Sequence, residues 1–533
     1  MPTPFQHLAR LGMNKHRSSK LPARGTGQPR LEELETRLAP AVIQVSSTNG
    51  SIQAAVNAAR LNADKNDTIV LSSGTLKAVN VQITVRQGET LTIIGKGPGQ
   101  TILNASQRNR ALVITGLGTN PDTMGKVTLA KMTVANGNVA GKGGGLLINS
   151  GKVNLNHVAV QNNVARGVNG QSGQPGQDGL GGGIFMTNGI LNLYHSSVTA
   201  NQALGGKGSN GTVGGDGGHA YGGGLFVSNG TVIGQSSSFT ANVAKGGDGG
   251  TGTDGQGGKG GNGGKAHGGG FGADRGKLIL FAPRIANNRA QGGKGGDGGL
   301  ASTVPGTGTG GDGGMGGLAS GGGGHSFRAW VTLIHTPDAA CISLNQALGG
   351  DGGWGNAGQT APEEYDGFKD SYGGVTRFNG GKGGDGGAAF GGGLASGHVI
   401  ELYGVTLEYC LARGGKGGDG GNGADGVMDL SPIYVDYGGD LATSMPVVGA
   451  TAATGVAGAG GPATGGGLHF DGSAFVYLAT LSNDQAIGGA GGKEAMVALP
   501  GLANLVIMDR LYTPHTPILQ QVVARAERSC LIP

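Results

Sequence analysis

The side chains in this sequence that are best suited to chemistry are carboxylates and tyrosines, concentrated in two segments, 361–372 and 429–440. Tyrosine rings beside carboxylates suit contact with a glycan or a loosely held cation. We predict that the two segments meet and form a ligand-binding patch, and solvated loops are the alternative. The predicted patch consists of Glu363, Glu364, Tyr365, Asp366, Tyr434, Asp436, Tyr437 and Asp440.

Catalytic groups are sparse in the sequence. Cleavage of a polysaccharide needs paired carboxylates, or an acidic Ca²⁺ cluster beside a basic side chain. The segments from Gly143 to Ala165 and from Gly181 to Ala203 contain neither Asp nor Glu. Five histidines show no common column and no carboxylate partner, so we expect structural or solvated roles for His157, His195, His219, His267 and His325. We predict no catalysis, with a polysaccharide lyase or hydrolase as the alternative function.

A repeat organises the chain. Seven glycine triplets, each followed by mostly apolar residues, begin at Gly143, Gly181, Gly222, Gly268, Gly321, Gly391 and Gly465. Each of the first five repeats then places an apolar residue three positions before an asparagine, and these asparagines are Asn163, Asn201, Asn242, Asn288 and Asn345. In the last two repeats Cys410 and Asp484 take the place of asparagine. A fixed interval of 20 residues between triplet and asparagine in the first four repeats indicates a repeating structural unit.

The unit predicts an all-β parallel β-helix. Apolar residues alternate with period two in Lys152–Val160, as in short strands. A unit this short buries its inward side chains only by stacking on its neighbours, about 4.8 Å apart. We predict coils from Asp67 to Ala486, with a capping helix near Ser51–Ala63. The asparagines should form a stacked amide ladder and take the left-handed conformation at a tight turn.

Two resemblances accompany the repeat. The glycine-triplet and apolar-x-x-Asn motifs resemble the repeats of chlamydial polymorphic outer-membrane proteins and of right-handed β-helix passenger domains, which implies a right-handed β-helix. The segment RLEELETRLAPAV (30–42) resembles an N-terminal motif of exported planctomycete proteins. The resemblances imply a secreted or cell-surface protein of structural or adhesion type. Its expected partners are polysaccharide or cell-surface components, and self-association stays open.

Glycine-rich insertions separate the repeats and lengthen along the chain from 15 to 52 residues. Since they leave the same place in each repeat, they should project from one corner and lie side by side. Their Gly-Gly-X triplets suit extended polyproline-II-like segments, and flexible disorder is the alternative. The tract GGKGGDGG partly matches a Ca²⁺-binding nonapeptide but has glycine where an apolar residue is required. We therefore predict no cofactor, with Ca²⁺ as the alternative.

Charge and composition define three regions. Of the net charge of +5, residues 1–40 contribute +4, so the body has no broad basic surface for nucleic acid. We predict a basic flexible tail at 1–47, the β-helix at 48–490, and a C-terminal cap with an amphipathic helix at 491–533. The sequence predicts no transmembrane segment. Of Cys341, Cys410 and Cys530, we expect Cys410 to be a small buried apolar residue, and disulfide pairing stays open.

Overall fold

The computed structural model describes residues 42–491 except 49, 63, 256, 302–307, 335–340, 357–379, 421–455 and 478. This part of the chain is a right-handed parallel β-helix, which confirms the predicted fold class. All strand pairs in its four sheets are parallel, as stacked coils require: for example, Leu193 pairs with Leu155 of the coil before it. The predicted C-terminal cap and most of the predicted tail lie outside the described residues.

Each coil follows one path through the sheets. In the coil that begins at Ile184–Met186 (sheet B), the chain continues through Ile190–Tyr194 and Ser197–Thr199 (both sheet A) into Gln202–Leu204 (sheet C). The glycine-rich insertion follows, and the chain returns through Ala220–Tyr221 (sheet D). A glycine triplet then leads into sheet B of the next coil.

The strands of the four sheets have the following bounds. Sheet A contains Val42–Val45, Asn66–Leu71, Gly74–Lys77, Thr90–Ile94, Thr101–Asn104, Lys126–Ala135, Lys152–Gln161, Ile190–Tyr194, Ser197–Thr199, Thr231–Gln235, Ser238–Thr240, Lys277–Phe281, Arg284–Ala286, Trp330–Ile334, Cys341–Ser343, Val399–Tyr403, Thr406–Glu408, Ser473–Tyr477 and Thr480–Ser482. Sheet B contains Val81–Val85, Leu112–Gly116, Leu146–Ser150, Ile184–Met186, Leu225–Val227, Phe271–Ala273, Gly324–Ser326, Leu394–Ser396 and Leu468–Phe470. Sheet C contains Asn138–Ala140, Val164–Arg166, Gln202–Leu204, Val243–Lys245, Arg289–Gln291, Gln346–Leu348, Leu411–Arg413 and Gln485–Ile487. Sheet D contains Gly179–Leu180, Ala220–Tyr221, Ala266–His267, Ala319–Ser320, Ala389–Phe390 and Ala463–Thr464.

The core is a column of inward side chains that runs along the axis. Leu193, Leu333 and Leu402 occupy the same inward position of sheet A in different coils and are fully buried. Each buried leucine contributes about 1.5–3 kcal/mol relative to exposure. The alternation of buried and outward residues in sheet A therefore fixes which side chains reach the surface.

A short helix covers the first coils. The helix Ile52–Leu61 begins after Ser51, whose hydroxyl accepts a hydrogen bond from Ala54 N at 3.2 Å. Its apolar face buries Ile52 and Val56 against the strands. One boundary of the predicted tail is wrong, because Val42–Val45 is a strand that pairs with the strand Asn66–Leu71. This strand buries Val45 and extends sheet A by one strand.

Sheets C and D meet through small residues. Ala203, Ala244 and Ala290 of sheet C and Ala220 and Ala266 of sheet D are fully buried in one cluster. Methyl groups allow the two sheets to lie close together where each insertion leaves and returns. Within the described residues, no helix has the length and hydropathy needed to span a membrane.

Candidate functional site

The predicted patch of carboxylates and tyrosines cannot be placed. Its members, Glu363, Glu364, Tyr365, Asp366, Tyr434, Asp436, Tyr437 and Asp440, all lie outside the described residues. A ligand-binding role for them stays a prediction. The described coils contain four other features that could form a site: the asparagine column, the glycine-rich insertions, the rings beside sheet B and the outward face of sheet A.

The five repeat asparagines Asn163, Asn201, Asn242, Asn288 and Asn345 lie in one fully buried column. Asn201 Nδ2 donates to Asn242 Oδ1 at 3.0 Å and to Val160 O of the preceding coil at 2.9 Å. Asn242 Oδ1 also accepts from the backbone N of Asn201 at 3.0 Å. The amide-to-amide bond repeats at 3.0 Å between each pair of neighbours. The column is thus a hydrogen-bonded ladder that fixes the turn between sheets A and C.

The left-handed turn residue is not the ladder asparagine, and our expectation on this point is wrong. The positive φ lies one position earlier, at 53° for Ala200, 54° for Ala241 and 56° for Leu344. The ladder side chain points into the core, where its amide bonds hold it. The residue before it reverses the chain at the surface.

Two residues continue the column differently. Cys410 is buried with its thiol free, and Asn345 Nδ2 lies 4.0 Å from its Sγ. Cys410 N donates to Asp484 Oδ1 at 2.7 Å. Burial raises the pKa of the Cys410 thiol to about 12, with a further contribution from Asp484. Burial likewise raises the pKa of Asp484 to about 6. A thiol this protonated is a poor nucleophile, so the column has a structural role.

The glycine-rich insertions stack as a slab in which every third residue repeats the same bond. The glycine slab comprises the described parts of 167–178, 205–219, 246–265, 292–318, 349–388, 414–462 and 488–491. Gly249 N donates to Lys294 O of the next outgoing tract, and Gly250 N donates to Gly215 O of a returning tract, both at 2.8 Å. Gly261 N in turn donates to Gly250 O at 2.8 Å, which joins the returning and outgoing parts of the same insertion. This period of three is the one that polyproline-II-like tracts require.

Aspartates at the third position of the triplets complete the slab. Asp248 Oδ1 accepts from Lys294 N at 3.1 Å, and Asp351 Oδ1 accepts from Lys416 N at 2.9 Å. In these triplets the carboxylate therefore satisfies the backbone N–H of the third residue in the next tract, a role that Asn210 Oδ1 fills for Thr251 N at 3.0 Å. Among the described residues, no three His, Cys, Asp or Glu side chains lie close enough to hold a metal ion. Ca²⁺ binding stays an untested alternative.

A buried ring seam joins the slab to sheet B. We give this name to Tyr221, Phe226, His267, His325 and Phe327. The rings of Tyr221 and His267 stack at 5.3 Å, those of His267 and His325 lie 4.7 Å apart, and those of His325 and Phe327 lie 4.2 Å apart. The Nδ1 atoms of both histidines are buried without a hydrogen-bond partner. Phe226, His267 and His325 are buried and Tyr221 and Phe327 are half-buried, so the seam serves packing.

Burial controls the charge of the seam histidines. It lowers the pKa of His325 to about 3, with a smaller contribution from nearby His469. It lowers the pKa of His267 well below its usual range, helped by His325, His219 and Lys265. Both imidazoles are therefore neutral at pH 7.

The expectation that no histidines share a column is wrong. The register that pairs Asn156 with Tyr194 also places His157 beside His195 in the next coil, with ring centroids 5.1 Å apart. Both rings are exposed at the turn within sheet A. His219 lies at the slab surface, where its Nδ1 accepts from Lys265 N at 3.0 Å. In none of these positions does a carboxylate pair with the imidazole among the described residues, and the roles are structural.

The outward face of sheet A presents exposed rings in register. We define the aromatic column as the outward position that aligns Tyr194, Gln235, Phe281, Ile334, Tyr403 and Tyr477. Tyr194 is 40% exposed, Tyr403 39% and Tyr477 51%. Their inward neighbours, such as Leu193 and Leu402, are fully buried, which forces these rings to the surface.

Further rings and polar groups surround the column on the same face. Trp330 is half-exposed, and Lys277 Nζ lies 5.4 Å from the centre of its ring. Phe475 is exposed two positions before Tyr477. Thr332 Oγ1 donates to Glu401 Oε2 at 2.8 Å in the space between them. This face combines flat apolar rings with a few hydrogen-bonding groups, a composition typical of ligand-binding surfaces.

Sequence reasoning did not find this face. Tyr194, Tyr403 and Tyr477 stand in different repeats, separated by insertions of different length, so their alignment is hidden in the linear sequence. Counting from the first glycine of the triplet aligns Tyr403 with Tyr477, each 12 residues after it, but places Tyr194 one residue out of step, at 13. Only the strand register therefore aligns all three.

No family model matches the chain, and no curated protein matches it. Among solved structures, the chain is similar to that described as the crystal structure of Escherichia coli ybhC, at 12% sequence identity with a TM-score of 0.25. That match covers 62% of this chain and 80% of the other. At this TM-score the likeness carries no argument, and the fold rests on the strand pairing alone.

Proposed function

We propose that this protein is a non-catalytic, secreted or cell-surface adhesion protein that contacts polysaccharide through the outward aromatic face of sheet A. The observation that carries the proposal is the aromatic column, in which rings from separate coils are held in register. Coil spacing of about 4.8 Å gives a rigid, repeating surface suited to a ligand that itself repeats.

Burial distinguishes this face from the other aromatic group. The rings of the seam, such as Phe226 and His325, are buried and serve packing. Tyr403, Tyr477 and Trp330 are at least 39% exposed although each is a large ring. Exposed aromatic rings grouped on one flat face are unusual unless they meet a partner.

The acidic residues of the same sheet support a binding role over catalysis. In the described strands of sheet A these are Asp67, Glu401 and Glu408. Asp67 is buried, where it accepts a hydrogen bond from Asn62 Nδ2 at 2.7 Å, and Glu401 is bonded to Thr332. These two carboxylates are thus engaged in structural hydrogen bonds, whereas a glycoside-cleaving site uses carboxylates directed at the substrate. The protein would therefore hold a glycan without cutting it.

The test replaces two rings by a residue that the column already accepts. Gln235 occupies the same outward position in its own coil, so Tyr403→Gln and Tyr477→Gln should leave the fold intact. A ring contact is worth about 0.5–1.5 kcal/mol, so the double variant should lose about tenfold in affinity for insoluble polysaccharide or the native cell envelope. Depletion of soluble protein by cellulose, chitin and envelope fragments measures this.

Tyr409→Ala is the matched control. Tyr409 is 53% exposed at a left-handed turn outside the column, and alanine stands at the equivalent turn in Ala200 and Ala241. Its adhesion should equal that of the wild type. Equal adhesion of the double variant, or release of new reducing ends from the polysaccharide by wild type, would overturn the proposal. Fractionation tests the location, and recovery solely from cytosol would contradict it.

A further inference from the structure

A groove lies at the turn between sheets B and A, at the opposite end of the strand Ile190–Tyr194 from the aromatic column. Its volume is about 450 Å³, within the range of about 300–1,000 Å³ typical of ligand sites. The floor is a row of stacked turns that includes Gly151, Gly189 and Gly230, with φ of 98°, 104° and 106°. A Cβ on Gly189 would overlap the carbonyl oxygen of Gly151. Side chains are therefore excluded from the floor, which leaves a trench along the axis.

One wall of the trench is the loop 117–125, which is the longest connection at this turn among the described coils. Residues 117–124 separate Gly116 from Gly125, whereas the next coil turns from Ser150 to Lys152 through Gly151 alone. Gly125 N donates to Leu117 O, and Met124 N donates to Asn120 O, both at 2.8 Å. The loop is thus closed on itself and leans over the glycine turns of its neighbours.

The lining of the groove is neutral and mixed. Its residues are Gly116, Leu117, Gly118, Thr119, Pro121, Met124, Ser150, Gly151, Asn188, Gly189, Ile190, Gly230 and Thr231, none of which is charged. Hydroxyls and an amide come from Thr119, Thr231 and Asn188, and apolar surface comes from Pro121 and Ile190. A charged ligand would lose its hydration here without gaining an opposite charge.

We propose that this groove is a second binding site, which takes an uncharged, hydroxyl-bearing oligosaccharide. Hydroxyl and amide groups pair with sugar hydroxyls, while apolar side chains accept the faces of the rings. The floor spans four coils from Gly116 to Gly230, about 14 Å, and so admits a short chain segment lying along the axis. The site shares no lining residue with the aromatic column.

The turn of the next coil is a template for deleting the loop that forms the wall. Removing residues 117–125 joins Gly116 to Lys126, which gives Thr115-Gly116-Lys126, the same spacing as Ser150-Gly151-Lys152 in the next coil. This variant should keep the coil and lose the wall. A second variant, Thr119→Trp, should fill the groove, and Asp122→Trp is its control because Asp122 stands in the same loop outside the lining.

Calorimetric titration with cellopentaose and maltopentaose tests the proposal, with trigalacturonate as the charged comparator. At least one neutral sugar should bind the wild type, and the deletion and Thr119→Trp should each weaken it about tenfold or more. Asp122→Trp should bind as the wild type does. Binding of neither neutral sugar, equal binding by the deletion variant, or preference for trigalacturonate would overturn the proposal.

Discussion

Removing one amide from the centre of the asparagine ladder should destabilise the β-helix strongly. Asn242 makes four hydrogen bonds: it accepts from Asn201 N and Nδ2, and it donates to Val198 O and to Asn288 Oδ1. Asn242→Ala removes them all and leaves buried partners unpaired. At about 1 kcal/mol for each bond, the expected loss is about 3–5 kcal/mol.

Hydrogen exchange measures this loss where it occurs. The opening free energy of the amides in segments 198–204 and 237–245 should fall in Asn242→Ala, while the capping helix Ile52–Leu61 keeps its protection, because stacked repeats couple mainly to their neighbours. Asn287→Ala is the control. Asn287 is an exposed left-handed residue whose equivalents are Ala200 and Ala241, so its loss should be about 1 kcal/mol or less. A loss in Asn242→Ala no larger than in this control would refute the role of the ladder.

Three further predictions concern the seam, the slab and the interrupted column. In the folded protein the pKa of His325 is lowered to about 3, whereas the ordinary pKa of 6.5 applies in the unfolded chain. The free energy of unfolding should therefore be greatest above pH 6.5 and should fall as the pH decreases from 6.5 to 3. The urea midpoint of unfolding should fall less over this range in His325→Phe. The pKa of Asp484 is raised to about 6, so protonation of this carboxyl should increase the free energy of unfolding as the pH falls below 6. If the urea midpoint of the wild type rises on acidification, the effect of His325 is not the larger of the two. Gly250→Ala places a Cβ against a backbone carbonyl and should lower the free energy of unfolding by about 1–3 kcal/mol, as measured by thermal unfolding. The control Thr251→Ala should lower it by less. Equal losses in the two variants would argue against close packing of the slab. Cys410→Asn should restore a ladder amide and raise the free energy of unfolding by about 1 kcal/mol, which is measured as a higher urea midpoint. An unchanged midpoint would contradict continuity of the column.

The repeat made the fold predictable. A glycine triplet, a two-residue alternation and an asparagine at constant spacing are local patterns, and stacking is the way in which so short a unit buries its apolar residues. For the same reason the insertions could be assigned to one corner, and the three-residue glycine period could be related to extended tracts. The short sheet D strands were missed, because two residues such as Ala220–Tyr221 give no periodic signal.

The candidate sites depended on tertiary structure. His267 and His325 lie in different sheets, and their rings approach only where the slab returns to the solenoid. Asp248 satisfies a backbone N–H of a tract 46 residues away, which composition alone cannot show. The groove arises because one coil has the loop 117–125 at a turn that the following coil closes through Gly151 alone.

The sequence by itself determined which residues repeat, since periodicity is a property of one unit and of its copies. Only the tertiary structure decided which outward residues meet, because insertions of unequal length separate Tyr194, Tyr403 and Tyr477 in the chain while parallel register places them in one column. Inward positions follow from hydrophobic alternation, which every coil satisfies alone. Outward neighbours follow from stacking, which no single coil contains.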